Sequence, residues 1–262
     1  MMPVLLQIGP LKIHTYGFLM ALGFLVAGFL YQLDVKRYIA PRVGLTPEQA
    51  LQKVLDLFTL LIPAGVVGGR IWYVIEYWGQ FRDDPVSILY LWDGGLVFYG
   101  GFLLAVVTSI LWFRHEKWPL ALSYDLIITW LALGHAFGRV GCFSSGCCYG
   151  RVCDPAHGMV FPNLDGLPHY PTQLWEAAGN LVICLILFSL RRWILRFPWM
   201  TLAGYGILYG VLRFNMEIWR YEPGSPMVGF FVSHSQAIST FLFVSGAVLL
   251  AWTFLRSRRD PS

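Results

Sequence analysis

The sequence predicts an all-α integral membrane protein, a seven-helix transmembrane bundle, and two observations predict it. Of its 262 residues, 56% are hydrophobic and 13% are charged, with a mean hydropathy of +0.58. An ordinary soluble chain carries about 25% charged residues. Several apolar runs also reach the ~20 residues that a helix needs to cross the hydrocarbon core.

Taken in order, the runs place spans over residues 16–33, 54–77, 95–113, 120–137, 172–190, 199–219 and 234–255. The first lacks a strongly basic leader and is followed by the others, so it reads as a span and not as a cleavable signal. The loops after spans 1, 3 and 5, together with the tail, hold Lys36, Arg37, Arg42, Lys53, Arg114, Lys117, Arg191, Arg192, Arg196, Arg256, Arg258 and Arg259. The positive-inside rule makes those loops cytoplasmic, which puts the N-terminus outside and the C-terminus inside. The net charge of +4 is thereby a matter of topology, and it calls for no nucleic-acid partner. With no separate soluble segment, low-complexity tract or repeat, the chain reads as one transmembrane domain over 1–262. Residues 138–171 then form a small extracytoplasmic cap.

Four segments reach the outer face: "HTYGFLMALGFL", "GGLVFYGGFL", "GHAFGRVGCFSSGCCYGR" and "GYGILYGVLRFNMEIWRYE". They bring arginines to a depth where a charge costs several kcal/mol unless it is paired or hydrated. Arg213 and Glu217 stand four apart on one helix face, with Arg220 three further on. That spacing suits an internal ion pair, and equally a phosphate-binding guanidinium held by its carboxylate. Arg139 lies in a Gly-Arg-Val-Gly setting with room for a headgroup. Arg70, after Gly68-Gly69, is placed to pair with Glu76 or to snorkel outward. The Gly-Gly pairs at 94–95 and 100–101 serve close helix packing or close approach of backbone to a ligand.

Cys142, Cys147, Cys148 and Cys153 lie on the side read as oxidising, and Cys184 lies within span 5. Their spacing lacks the C-x-x-C pairing of structural zinc, so disulfides are expected and a metal site is not. Four cysteines allow three pairings, and the sequence does not choose among them.

Taken together, "GGRIWYVIEY", "GGLVFYGG", "GHAFGRVGCFSSGCCYG", "HYPTQLWEA" and "YGILYGVLRFNMEIWR" resemble the bacterial prolipoprotein diacylglyceryl transferases over nearly the whole chain. The resemblance implies a multi-pass enzyme of the bacterial inner membrane with its site toward the extracytoplasmic side. It implies transfer of the diacylglyceryl group of phosphatidylglycerol to the lipobox cysteine of a prolipoprotein signal peptide. A thioether forms, glycerol phosphate is released, and no cofactor is needed. It assigns Arg139, Arg213 and Tyr99 to catalysis. Tyr16, Arg70, Gly95, Gly100, Gly141, Gly150, Glu217 and Arg220 fall to substrate binding. The chain departs from the family in two places. Tyr99 stands where many members have histidine, and a phenol is by its nature a weaker base than imidazole. Cys142 and Cys147 replace Asn and Glu of the signature, and their thiols are expected to be scaffold, not nucleophile. Those departures keep three alternatives in view: a divergent acceptor, a membrane thiol-redox protein, or an anion transporter using the arginines.

Overall fold

The computed structural model describes residues 4–9, 11–91, 94–162, 164–193, 196–220 and 233–259, and a helix overlies most of each of the seven expected spans, the third starting three residues late at Phe98. Among the described residues, six helices are long and apolar enough to cross a membrane. They are α1 (Thr15–Asp34, continuing through a π-helical turn and the short α2, Ala40–Val43), α3 (Pro47–Glu76), α5 (Phe98–His115), α6 (Leu120–Ser144), α7 (Thr172–Leu190) and α9 (His234–Arg259). The seventh, α8 (Met200–Arg220), is long enough but carries Arg213, Glu217 and Arg220 toward its end. Six of the seven expected spans are therefore apolar enough to cross by length and composition alone. A short α4 (Trp78–Phe81) completes the helices.

The chain divides into two compact units, residues 32–123 and residues 1–31 with 124–262. In the first, Thr46 starts α3 with a reciprocal capping box: its side chain accepts from the Gln49 N–H while the Gln49 side chain accepts from the Thr46 N–H. Pro47 at the first helical position adds a preset φ. α3 then packs on α5 through glycines. A Cβ at Gly101 would lie 2.5 Å from the Gly65 carbonyl oxygen, and one at Gly100 would collide with the Gly68 backbone. Apolar lipid offers no hydrophobic drive for helices to associate, so close backbone approach is what holds such a pair.

In the other unit, strands β1 (Val4–Ile8) and β2 (Leu11–His14) form an antiparallel hairpin before α1. α8 packs between α7 and α9, again on small residues: a Cβ at Gly210 would sit 2.7 Å from the Ser239 carbonyl oxygen. The start of α8 is fixed from a distance. Asp125, wholly buried in α6, accepts from the backbone N–H groups of Trp199, Thr201 and Leu202 at 2.6–3.0 Å, and from the Thr201 hydroxyl at 2.9 Å. A carboxylate here satisfies donors that a helix start leaves orphaned, and it complements the positive end of the dipole. Asp125→Asn turns an amide N–H₂ toward one of those donors. It should lower stability by about 2–3 kcal/mol, read as a drop in unfolding temperature in detergent.

Between α6 and α7 the chain forms a loop stitched by β3 (Met159–Val160) and β4 (Pro168–His169). Gly150 lies at its base, where a Cβ would come within 2.6–2.9 Å of the Trp219 carbonyl oxygen, Tyr170 and Thr172. Its carbonyl accepts from His169 Nδ1 at 2.8 Å, and the Arg151 N–H donates to the Trp219 carbonyl at 2.9 Å. The loop is thereby tied both to the start of α7 and to the end of α8.

Candidate active site

An apolar bundle tolerates a charge only beside its partner, and α6, α7 and α8 supply such partners to one another. Arg139 on α6 donates through Nη2 to Glu176 Oε1 on α7 at 2.8 Å, with the Glu176 side chain 1% exposed. The Tyr209 hydroxyl on α8 donates to the same oxygen at 3.2 Å, and His135 Nε2 stands 3.8 Å from it. His135 Nδ1 in turn meets the Tyr205 hydroxyl at 3.3 Å. Four residues thus converge on one carboxylate oxygen or its neighbours, which fixes the guanidinium of Arg139 in direction. One donor is left over: Arg139 Nε is buried without a hydrogen-bond acceptor.

Arg213 is held on α8 by Glu217, with Nη1 2.8 Å from Oε2, and by α9, where Nη2 donates to the Ser235 hydroxyl at 2.8 Å. Its side chain is 14% exposed and that of Arg139 15%, so neither is sealed from a ligand. Both positive charges bear on the same two groups, His135 and Tyr209. The structure therefore brings together Arg139, Arg213 and Glu217 in one neighbourhood. To these it adds Glu176, Tyr209, His135 and Ser235, which the sequence reading left unassigned.

Beside this network the end of α6 folds back on itself. The Cys147 N–H donates to the Cys142 carbonyl at 3.1 Å and the Gly146 N–H to the Phe143 carbonyl at 3.0 Å, with Gly146 at φ +68°. That is the Schellman closure of a helix C-terminus. It stacks the sulfurs of Cys142, Cys147 and Cys148 within 4.8 Å of one another. α7 pins the turn: the Gln173 amide donates to the Cys147 carbonyl at 2.7 Å, and the Thr172 hydroxyl to the Cys148 carbonyl at 3.2 Å. The expected disulfides are not formed; all four loop cysteines are thiols. Cys153 stands apart from the trio because its N–H is tied to the Pro168 carbonyl at 2.9 Å, down the loop. The Cys148 thiol is drawn down to about 5, chiefly because the Cys142 thiol donates to it, with Cys147, Arg220 and Arg139 acting in the same direction. Burial pushes the Cys147 thiol up.

Tyr16, at the start of α1, is half-exposed and close enough to interact with the charges of Arg139 and the three thiols. Gly141 makes room for it, since a Cβ there would come 3.0 Å from the Tyr16 ring. The remaining candidates lie in the 32–123 unit. Arg70 is buried and pairs neither with Glu76 nor with solvent. It spends its five N–H donors on five backbone carbonyls, those of Ser87, Ile88, Tyr90, Gly94 and Gly95, at 2.7–3.3 Å. It clamps the approach to α5. Gly95, at φ +76°, lies against Tyr73 and Arg70, and Gly100 is the helix-packing glycine already described. Tyr99 is half-exposed at the start of α5, its ring edge-on to Phe98 at 5.9 Å.

Comparison with known proteins gives one consistent answer. A family model described as prolipoprotein diacylglyceryl transferase matches residues 3–252. A phosphatidylglycerol–prolipoprotein diacylglyceryl transferase of Photobacterium profundum is 36% identical over 259 residues, covering 96% of this chain and 93% of its own. Proteins of the same name from Aliivibrio salmonicida and Vibrio atlanticus are each 34% identical, covering 97% of this chain and 88% and 91% of their own.

Proposed function

The chain belongs to the prolipoprotein diacylglyceryl transferase family, and from that premise we propose that it moves the diacylglyceryl group of phosphatidylglycerol to the lipobox cysteine of a prolipoprotein. The observation that carries the reading is the pair of partly exposed arginine side chains, Arg139 and Arg213, each ion-paired with its own carboxylate and each acting on His135 and Tyr209. The chemistry needs such a pair. The acceptor sulfur attacks the glyceryl carbon, a C–S bond forms, and the C–O bond to phosphate breaks. Glycerol phosphate leaves with the bonding electrons and takes up the thiol proton. Negative charge gathers on the phosphate oxygens as that bond breaks, and preorganised donors there lower the barrier. Arginine suits the task because it stays charged and grips two oxygens at once. The unpaired Nε of Arg139 is a donor that a phosphate oxygen would satisfy.

Glu217 and Arg220 support the phosphate site, and Tyr16 and Gly141 border it. Tyr99 orients the lipid or relays a proton from the start of α5, with Gly95 and Gly100 shaping its approach. The two units act as one transferase domain in a bacterial inner membrane. All seven long helices cross it, α8 included, with Arg213 paired to Glu217 as a charge at that depth requires. The N-terminus and the 138–171 loop are extracytoplasmic, on the side away from the twelve clustered cations.

Phosphatidylglycerol labelled in its terminal glycerol tests this reading. Purified protein in micelles should release labelled glycerol phosphate when a cysteine-bearing lipobox peptide is added, and not when the cysteine is replaced by serine. Release that ignores the peptide would mean a phospholipase and would sink the transferase reading.

A further inference from the structure

Three thiols brought within 4.8 Å of one another by one helix end need a chemical reason, and the transfer reaction as written gives them none. Tetrahedral zinc holds its thiolates at about 2.3 Å, which sets sulfur–sulfur separations of about 3.8 Å. The trio is within side-chain rotation of that geometry. Its backbone is already arranged for it: Gly146 and Cys148 both take positive φ, +68° and +62°, and α7 holds the carbonyls of Cys147 and Cys148 by hydrogen bonds from Gln173 and Thr172. A left-handed non-glycine residue persists only where its surroundings impose it. The charge balance also suits a metal. Three thiolates and a divalent cation leave a single negative charge, and both Arg139 and Arg220 bear on Cys148.

We propose that Cys142, Cys147 and Cys148 form a binding site for a soft divalent metal ion of the zinc class, with a fourth position open to the thiol of the incoming peptide. Among the described residues no histidine or carboxylate joins the three sulfurs. Three protein ligands and a vacant position are the composition of a reactive zinc site, where a closed structural site has four. Thiolate ligands select zinc and similar soft ions over magnesium or calcium. A thiol that binds such an ion gives up its proton. Placed beside Tyr16 and Arg139, the ion would present that sulfur as a thiolate next to the phosphate-binding arginines. This last element rests on the transferase reading; the metal site itself does not. The sequence spacing, five residues and then one, matches no zinc motif, and only the Schellman turn makes the site.

Cobalt(II), a spectroscopic stand-in for zinc, provides the test when titrated into the reduced full-length protein in micelles without lipid. Thiolate-to-cobalt charge-transfer absorption should saturate at one equivalent. It should vanish in Cys142→Ser, Cys147→Ser and Cys148→Ser and persist in Cys153→Ser. A lipobox peptide with cysteine should intensify and shift the bands, and its serine version should leave them alone. No charge-transfer band in the reduced wild-type protein, or an undiminished one in Cys147→Ser, overturns the metal site. Bands that ignore the cysteine peptide overturn the open position. Cobalt binding by a protein that transfers no lipid upholds the site and sinks only the transferase reading.

Discussion

Arg139→Ala and Arg213→Ala should each cut lipid transfer by about a thousandfold or more, with the protein still folded. Loss of a single preorganised donor at a developing anion costs about 10²–10³ in rate, and each arginine supplies several donors together with a full charge. The lysine substitutions should fare little better, because an ammonium keeps the charge but loses the planar fork. The two positions should differ in folding. Arg139→Ala strands Glu176, whose side chain is 1% exposed, whereas Arg213→Ala leaves a carboxylate that is 13% exposed and nearer to relief. Initial rates at saturating peptide, with unfolding temperatures alongside, separate loss of chemistry from loss of fold. Full transfer by Arg213→Ala would make its pairing with Glu217 purely structural.

Glu176→Ala should be the most damaging change to the bundle. It removes the acceptor for Arg139 and for Tyr209 together, and it leaves a guanidinium in the apolar interior without its counter-charge. Breaking a buried pair from one side costs about 3–5 kcal/mol. Glu176→Gln keeps an acceptor oxygen and should retain the fold while misdirecting Arg139, so its transfer rate should fall more than its stability. The double variant Glu176→Gln/Arg139→Gln should recover part of the stability and none of the activity. A loss in the double variant equal to the sum of the losses in Glu176→Gln and Arg139→Gln alone would show that the two side chains do not depend on each other.

Which of these features could be read from the sequence follows from how local each one is. The helices were legible because apolar length is a local property, and Thr172–Leu190 lies where the run places it. α3 begins at Pro47, earlier than the apolar run, because Thr46 and Gln49 form a capping box ahead of it; the T-x-x-Q spacing was there to be read. The Arg213–Glu217 pair was visible because residues four apart share a helix face. Arg139 and Glu176 are 37 residues apart, on different helices, and no periodicity joins them. The signal for Glu176 was weaker: a lone carboxylate in an apolar run, which a membrane tolerates only with a partner. Asp125 carried the same signal for the same reason. Arg70 was misread because its partners are backbone carbonyls, which leave no trace in residue identity.

Whether this chain joins a lipid to a cysteine sulfur is tested most directly by mass spectrometry of the acceptor. Purified protein is incubated with phosphatidylglycerol and a lipobox peptide, and the peptide is then weighed and fragmented. The peptide should gain the mass of one diacylglyceryl group, located on its cysteine, and should gain nothing with Arg139→Ala. An unmodified peptide after full incubation, or a lipid adduct found on Cys142, Cys147, Cys148 or Cys153 of the protein itself, would contradict the transfer.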